Sequence, residues 1–409
     1  MEDKQYAQVV IVGGGIAGCA LAYQLARCGC EGVVLIEKAE LTSGSTWHAA
    51  GNVPLLMGGV AHALLHTRSL DLYAELAELT GNPLGFHRSG SLQVATSTTE
   101  HREQREHAEL LQAHDIRCEI VGSDEAVRLF PYLNPRAVEG GAWTPDDGHL
   151  DPSTLTFAFA DAARDNGARI IRHTPVVEIC ASSNGTWTVR GETLQIETEH
   201  VVNSAGLHGR EVSAMVGHRL AAVPMERQYI VTDDVPGIEQ NSCELPVLRD
   251  SSGPFYIRQE RNSLLLGLYD QEPVFWARDG TPDDFAQELL TPDLDRVSGS
   301  LQAALHRIPL LETLGIKTRL NGPLMRTPDA APLVGPVAGL KNFWLNTGYF
   351  GGIAQAGACT EILARWIVGG DPQVDTSLFD ARRFGDEADA EYTMRLTREE
   401  YLREFDRSV

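Results

Sequence analysis

Val9-Val10-Ile11-Val12-Gly13-Gly14-Gly15-Ile16-Ala17-Gly18 is the stretch whose reading decides the fold. Four β-branched residues in a row suit a parallel strand buried on both faces. The glycines follow directly, and then Ala20, Leu21, Leu25 and Ala26 recur at helical spacing. A second apolar strand, Val33-Val34-Leu35-Ile36, ends on Glu37 and Lys38. Strand, glycine turn, helix, strand and acid form the βαβ unit that binds a dinucleotide. Gly13 permits the tight turn, Gly15 lets a pyrophosphate approach the backbone, and Gly18 lets helix and strand pack closely. At Ile16 and Ala17 the new helix offers free N–H groups and its positive dipole end to phosphate. Glu37 stands 19 residues after Gly18, where a carboxylate accepts both ribose hydroxyls.

Outward from this unit, the whole chain of 409 residues has room for two packed domains. Its 34 basic and 56 acidic residues leave a net charge of −22, which repels phosphate backbones and anionic lipid. Nucleic acid and membrane are therefore not expected as partners. Seven cysteines, with no Cys-x-x-Cys pair among them, predict reduced structural thiols and no metal site. No apolar run reaches the ~20 residues that cross a bilayer. The N-terminal Met1-Glu2-Asp3-Lys4 has neither a signal peptide's apolar region nor a transit peptide's arginines. A cytoplasmic protein is the expectation.

Further along, residues 60–80, 100–130, 152–166 and 283–307 read as helices. Leu92-Gln93-Val94, Ala142-Trp143 and several runs between Val223 and Tyr269 read as strands. Residues 168–171 and 176–179 resume a βαβ-type alternation, and residues 187–202 form a meander that ends in a buried strand. Two more small-residue turns follow apolar strands. One is Asn203-Ser204-Ala205-Gly206, and the other is Gly348-Tyr349-Phe350-Gly351-Gly352-Ile353. Between Glu37 and these lies Ser43-Gly44-Ser45-Thr46-Trp47-His48-Ala49-Ala50-Gly51, a run of small and hydroxyl residues able to wrap phosphate and ribitol oxygens. Three glycine turns around one cofactor suit extended FAD better than NAD.

At this point the chain resembles the flavoprotein half of the dimethylglycine/sarcosine dehydrogenase group, within the D-amino-acid-oxidase-like superfamily. The likeness covers essentially the whole chain. It rests on Gly13–Gly18, the Ser43–Gly51 run, Asp146-Asp147-Gly148-His149-Leu150-Asp151-Pro152, Glu244-Leu245-Pro246-Val247-Leu248-Arg249-Asp250, Tyr256-Ile257-Arg258-Gln259-Glu260-Arg261 and Asn321-Gly322-Pro323. The resemblance implies an α/β fold: a discontinuous Rossmann-type FAD-binding domain (residues 1–85, 150–222 and 325–385) with an inserted antiparallel β-sheet substrate domain (86–149 and 223–324). A helical tail, 386–409, closes the chain. The cofactor is expected against Gly13, Gly15, Ile16, Ala17, Gly18, Glu37, Lys38, Gly44, Ser45, Thr46, His48, Ala49, Ala50, Gly51, Val177, Ala205, Gly206, Gly348, Tyr349, Gly351, Gly352 and Ile353.

In that family the histidine of the Ser-Thr-Trp-His run bonds covalently to the 8α-methyl of FAD, which falls here on His48. The alternative is a histidine that only hydrogen-bonds beside the ring. The reaction implied is oxidation of a C–H bond next to nitrogen, with hydride passing to flavin N5. The partner is then a small amino-acid-type amine, with an electron-transfer flavoprotein or oxygen as acceptor. Its carboxylate needs a cation, for which Arg227, Arg258 and Arg326 are candidates, and Tyr256 matches the family's active-site tyrosine. Where the dimethylglycine enzymes carry a histidine this chain has Arg227, which points to a different N-methyl amino acid. Many relatives continue into a folate-binding domain. This chain stops at Val409, so free formaldehyde is the expected product. A non-catalytic flavoprotein-like regulatory subunit and an oxidase of a cyclic imino acid are the rival readings.

Overall fold

The computed structural model describes residues 5–183, 185–385 and 388–405. The β-branched strand Gln5–Val12 sits inside a sheet of order Leu333–Pro336, Phe343–Thr347, Gln195–Asn203, Gln5–Val12, Val33–Ile36 and Arg169–Ile171. Every neighbouring pair is parallel except the one at the Leu333–Pro336 edge. Parallel strands need both faces covered. Helices Ile16–Arg27, Pro152–Asp165 and Gly352–Gly369 cover one face, with Val60–Thr80 packed over the last. Asp151 caps its helix by accepting from the Thr154 amide at 2.6 Å, and Pro152 fills the first helical position, where no N–H is needed. The other face packs on the hairpin Val176–Ala181/Trp187–Gly191, which extends Gln195–Asn203 in antiparallel fashion.

That hairpin corrects the expected βαβ alternation at 176–179. Residues 172–175 are too short a link for a parallel crossover, so the chain can only turn back on itself.

The second sheet runs Ile316–Arg326, Val223–Thr232, Ser263–Leu268, Phe255–Glu260, Val247–Asp250, Ser91–Ala95, Gly140–Thr144 and Glu119–Gly122. It is antiparallel except for one pair, Val247–Asp250 with Ser91–Ala95, whose strands come from separate stretches of the chain. Two further expectations need correction. The helix Thr98–Gln112 ends before Asp115, whose φ of 61° is left-handed, and a strand, Glu119–Gly122, precedes the short helix Ser123–Leu129. Within 283–307 only Ser298–Arg307 is helical. The preceding amides point outward instead: Gln287 N donates to Ser43 O, Leu290 N to Asn321 O and Asp293 N to Gln228 Oε1, each at 2.7 Å. The C-terminal segment is a helix, Ala390–Phe405, as expected, and it buries Thr393, Thr397 and Tyr401. Residues 386–387 and 406–409 of that expected tail lie outside the described ones. All seven cysteines are free thiols, and no described helix is long and apolar enough to cross a membrane.

Candidate active site

A cavity of about 820 Å³ lies between the two sheets, near the upper end of the ~300–1,000 Å³ typical of small-molecule sites. The parallel sheet supplies its glycine-lined half. Gly13 adopts φ +112°, and a Cβ there would fall 2.4 Å from Ser204 O, so the first and second turns touch backbone to backbone. Gly18 does not line the cavity. A Cβ on it would lie 1.9 Å from Gly13 O, so it lets the helix close onto its own turn. Asn346 ties the three turns together: its side-chain amide donates to Ala17 O (3.0 Å) and Ser204 Oγ (3.1 Å), while its oxygen accepts from Tyr349 OH (2.7 Å). The buried Glu37 carboxylate accepts from the amides of Gly14 (2.6 Å) and Ala39 (2.9 Å). Burial pushes its pKa up against those hydrogen bonds. Lys38 donates to Asp283 O at 2.7 Å, and burial lowers its pKa.

The remaining predicted cofactor residues, from Gly44 through Gly51, Val177, Ala205, Gly206 and Gly348 to Ile353, also line this cavity. His48 is buried, and its Nε2 has no hydrogen-bond partner. Burial lowers its pKa to about 4, which leaves the imidazole neutral near pH 7. The ring rests on Gly322, where a Cβ would fall 2.5 Å from it. These features fit FAD: a helix N-terminus in the cavity wall whose Gly15 cap has no side chain and whose Ile16 amide donates to Thr46 Oγ1 (3.2 Å), a buried acid beside it, and a neutral imidazole from a cavity-lining residue.

The second sheet supplies the floor. Side chains alternate along a strand, so residues directly opposite one another share a face. Arg249 pairs with Tyr256, Tyr256 with Gly267, Gly267 with Tyr229 and Tyr229 with Leu320, and all of that row but the glycine line the cavity. The Tyr256 ring lies over Gly267, and burial raises its phenol pKa, so it stays protonated. In the next row Arg227 pairs with Gly322, which puts it on the same face as His48. Its guanidinium stacks over Tyr269 at 4.1 Å and lines the cavity.

Two of the three arginines expected at the carboxylate do not reach the cavity. Arg258 donates to Ala50 O (3.1 Å) and pairs with Glu260 (2.7 Å), so it braces the His48 run from behind. Arg326 is fully buried with its guanidinium 4.5 Å from the Phe350 ring, behind the cavity wall.

A family profile described as FAD dependent oxidoreductase matches residues 8–366. The chain belongs to that family. It is 39% identical to "Dimethylglycine dehydrogenase, mitochondrial" of Mus musculus over 98% of this chain and 47% of that one. It is 34% identical to "Sarcosine dehydrogenase, mitochondrial" of Homo sapiens over 92% of this chain and 41% of that one. The chain thus spans about half the length of these curated relatives. Among solved structures, L-proline dehydrogenase from P. horikoshii superposes with a TM-score of 0.82 at 25% identity, covering 93% of this chain and 98% of that one.

Sequence reasoning missed several cavity residues of this FAD-dependent oxidoreductase. Arg249 went unseen because its strand neighbours, not its own surroundings in sequence, bring it beside Tyr256. Asn346 and His66 gave no signal either, since a lone amide or histidine has no spacing to betray it. His66 donates from Nδ1 to Pro54 O at 2.5 Å. Away from the cavity, His87 and His149 each engage one oxygen of Glu244 (2.6 and 2.7 Å), the one group of three metal-ligand types among the described residues. Their rings stack at 4.8 Å and 10°, so the lone pairs do not converge on one point; the trio is a hydrogen-bonded clip.

Proposed function

We propose that this chain oxidises the carbon beside the nitrogen of a small, carboxylate-bearing N-methyl or N-substituted amino acid, with FAD attached through His48. One observation carries the reading: Arg227 presents a guanidinium to the cavity directly across the strand pair from the glycine on which His48 rests. A guanidinium holds a carboxylate through two parallel hydrogen bonds, which fixes the substrate's orientation as well as its place. The likeness to dimethylglycine and sarcosine dehydrogenases supports the same substrate class.

Arg227 anchors the carboxylate, and the amine end then extends along the row of Tyr256 and Tyr229. The Tyr256 hydroxyl, held protonated by its surroundings, offers a hydrogen bond at Oη that orients the nitrogen. The nitrogen must be neutral, because its lone pair stabilises the cation left when hydride departs. FAD, when bound, supplies the hydride acceptor, and an electron-transfer flavoprotein or oxygen receives the electrons afterwards. Loss of hydride from an N-methyl carbon leaves an iminium. Water adds to that carbon, and formaldehyde and the demethylated amine leave with one proton. The neutral His48 imidazole is the form able to attack the electrophilic methyl of an oxidised flavin.

The test compares carboxylated amines with their decarboxylated analogues on the natural protein and on Arg227→Leu. Hydrogen bonds to a charged group contribute about 1.5–3 kcal/mol each, so Arg227→Leu should lower kcat/KM for the carboxylated amine about a hundredfold or more. The analogue should be little affected. Equal preference in the two proteins removes Arg227 from the role and leaves it to Arg249.

A further inference from the structure

The C-terminal helix Ala390–Phe405 buries three residues spaced four apart, Thr393, Thr397 and Tyr401, while its other faces carry charge. Tyr401 does not line the cavity, yet it reaches the back of the residue that does. Its hydroxyl donates to Asp270 O at 2.6 Å and accepts from Arg227 Nη1 at 3.2 Å. Its ring stands 5.0 Å from the Arg227 guanidinium and 5.6 Å from that of Arg326. Arg227 also stacks on Tyr269 at 4.1 Å and lies 5.4 Å from the Phe350 ring. Nearby, Arg296 pairs with both Glu226 and Asp270 at 2.7 Å, so these carboxylates are already engaged beside the site.

A guanidinium is a flat fork, and only one plane of it offers two parallel N–H groups to a carboxylate. On its own the long arginine side chain samples many rotamers, and binding would have to order it. Here the Asp270 carbonyl fixes the Tyr401 hydroxyl, and that hydroxyl aims its lone pair at Nη1. We infer that Tyr401 is a positioning residue that sets the plane of Arg227, which makes the C-terminal helix part of the selection for carboxylated amines. The inference rests on Arg227 being the carboxylate anchor.

The experiment measures flavin reduction without air by a carboxylated amine and by its decarboxylated analogue, using holoprotein of the full chain. Proteins compared are the natural one, Tyr401→Phe, Tyr401→Leu, Arg227→Leu and the double variant Arg227→Leu/Tyr401→Phe. The readout is the ratio of the two apparent binding constants within one preparation, which partial unfolding or low flavin content does not move. Loss of a hydrogen bond to a charged group predicts that Tyr401→Phe lowers this ratio about tenfold, with the limiting rate of reduction unchanged. Tyr401→Leu, which also removes the ring, lowers it further, and Tyr401→Phe alone decides the matter if the leucine variant does not fold. In the double variant the ratio stays where Arg227→Leu put it. Natural-protein ratios in both Tyr401 variants overturn the inference while leaving Arg227 as the anchor. A further drop in the double variant overturns it too, because Tyr401 would then act without Arg227. An unchanged ratio in Arg227→Leu removes the anchor itself, and the positioning role falls with it.

Discussion

The Glu37 carboxylate accepts from two backbone amides and still faces the cavity, so it has lone pairs left for ribose hydroxyls. Each charge-assisted hydrogen bond lost is worth about 1.5–3 kcal/mol, and Glu37→Ala should therefore lower the flavin-to-protein ratio of purified protein. An unchanged ratio would count against the ribose role. Asp147 is a second buried acid, and its reading is electrostatic. Burial lifts its pKa to about 7 despite hydrogen bonds from Thr144 and the Leu55 amide. The folded value lies above the unfolded one, so its contribution to stability is full below about pH 4 and is lost as the pH rises through about 7. Asp147→Asn cannot ionise, and it should gain on the natural protein by up to about 1.4 kcal/mol per pH unit between about pH 5 and 7. Thermal unfolding across that range checks this, and a constant difference would contradict it. Glu37 was legible because strand, turn and spacing define its place. Asp147 as a titrating group was not, because its pKa depends on burial and on Leu55, Ser91 and Arg249, which are distant in sequence.

At the scale of the element, the strand pair Val223–Thr232 and Ile316–Arg326 sets Arg227, the proposed carboxylate anchor, opposite Gly322, on which the His48 ring rests. Gly322 carries no side chain because the His48 ring occupies that space. Adding a methyl there overpacks a tight contact, typically by about 1–3 kcal/mol, and the side of the contact able to yield is the histidine. Acid precipitation of the natural protein should leave yellow colour in the pellet. From Gly322→Ala the colour should move to the supernatant, or flavin should be missing, with the second sheet still folded. Full attachment in Gly322→Ala would contradict this account of the contact. The glycine turns and buried strands were readable because their periodicity is strict. The stretch 283–297 was not, because its apolar residues mimic a helical face while its amides bond to Ser43, Asn321 and Gln228 in distant segments. Nor was the seat of the C-terminal helix, whose buried stripe begins with two threonines and so lacks a hydrophobic period.

On the scale of the whole molecule, a chain of net charge −22 brings Arg227 and Arg249 to the wall of one cavity. Among the described residues, the strands of the second sheet bring these two cations and no acid to the cavity lining, which suits an anionic substrate group on that side. The net charge is read from composition, whereas the register of the second sheet is what places the two guanidinium groups. Register is why Arg258 was expected at the cavity and Arg249 was not: both lie on readable strands, but only pairing decides which guanidinium meets Tyr256 and which one turns to Ala50 O. Oxidative removal of an N-methyl group is the central claim, and a single anaerobic turnover tests it most directly. Holoprotein is mixed with one equivalent of an N-methyl amino acid, and both the bleaching of the flavin and the formaldehyde released are measured. The account predicts full bleaching with one formaldehyde for each flavin reduced. A flavin that keeps its colour with every carboxylated N-methyl amine, or that bleaches without formaldehyde, would contradict it.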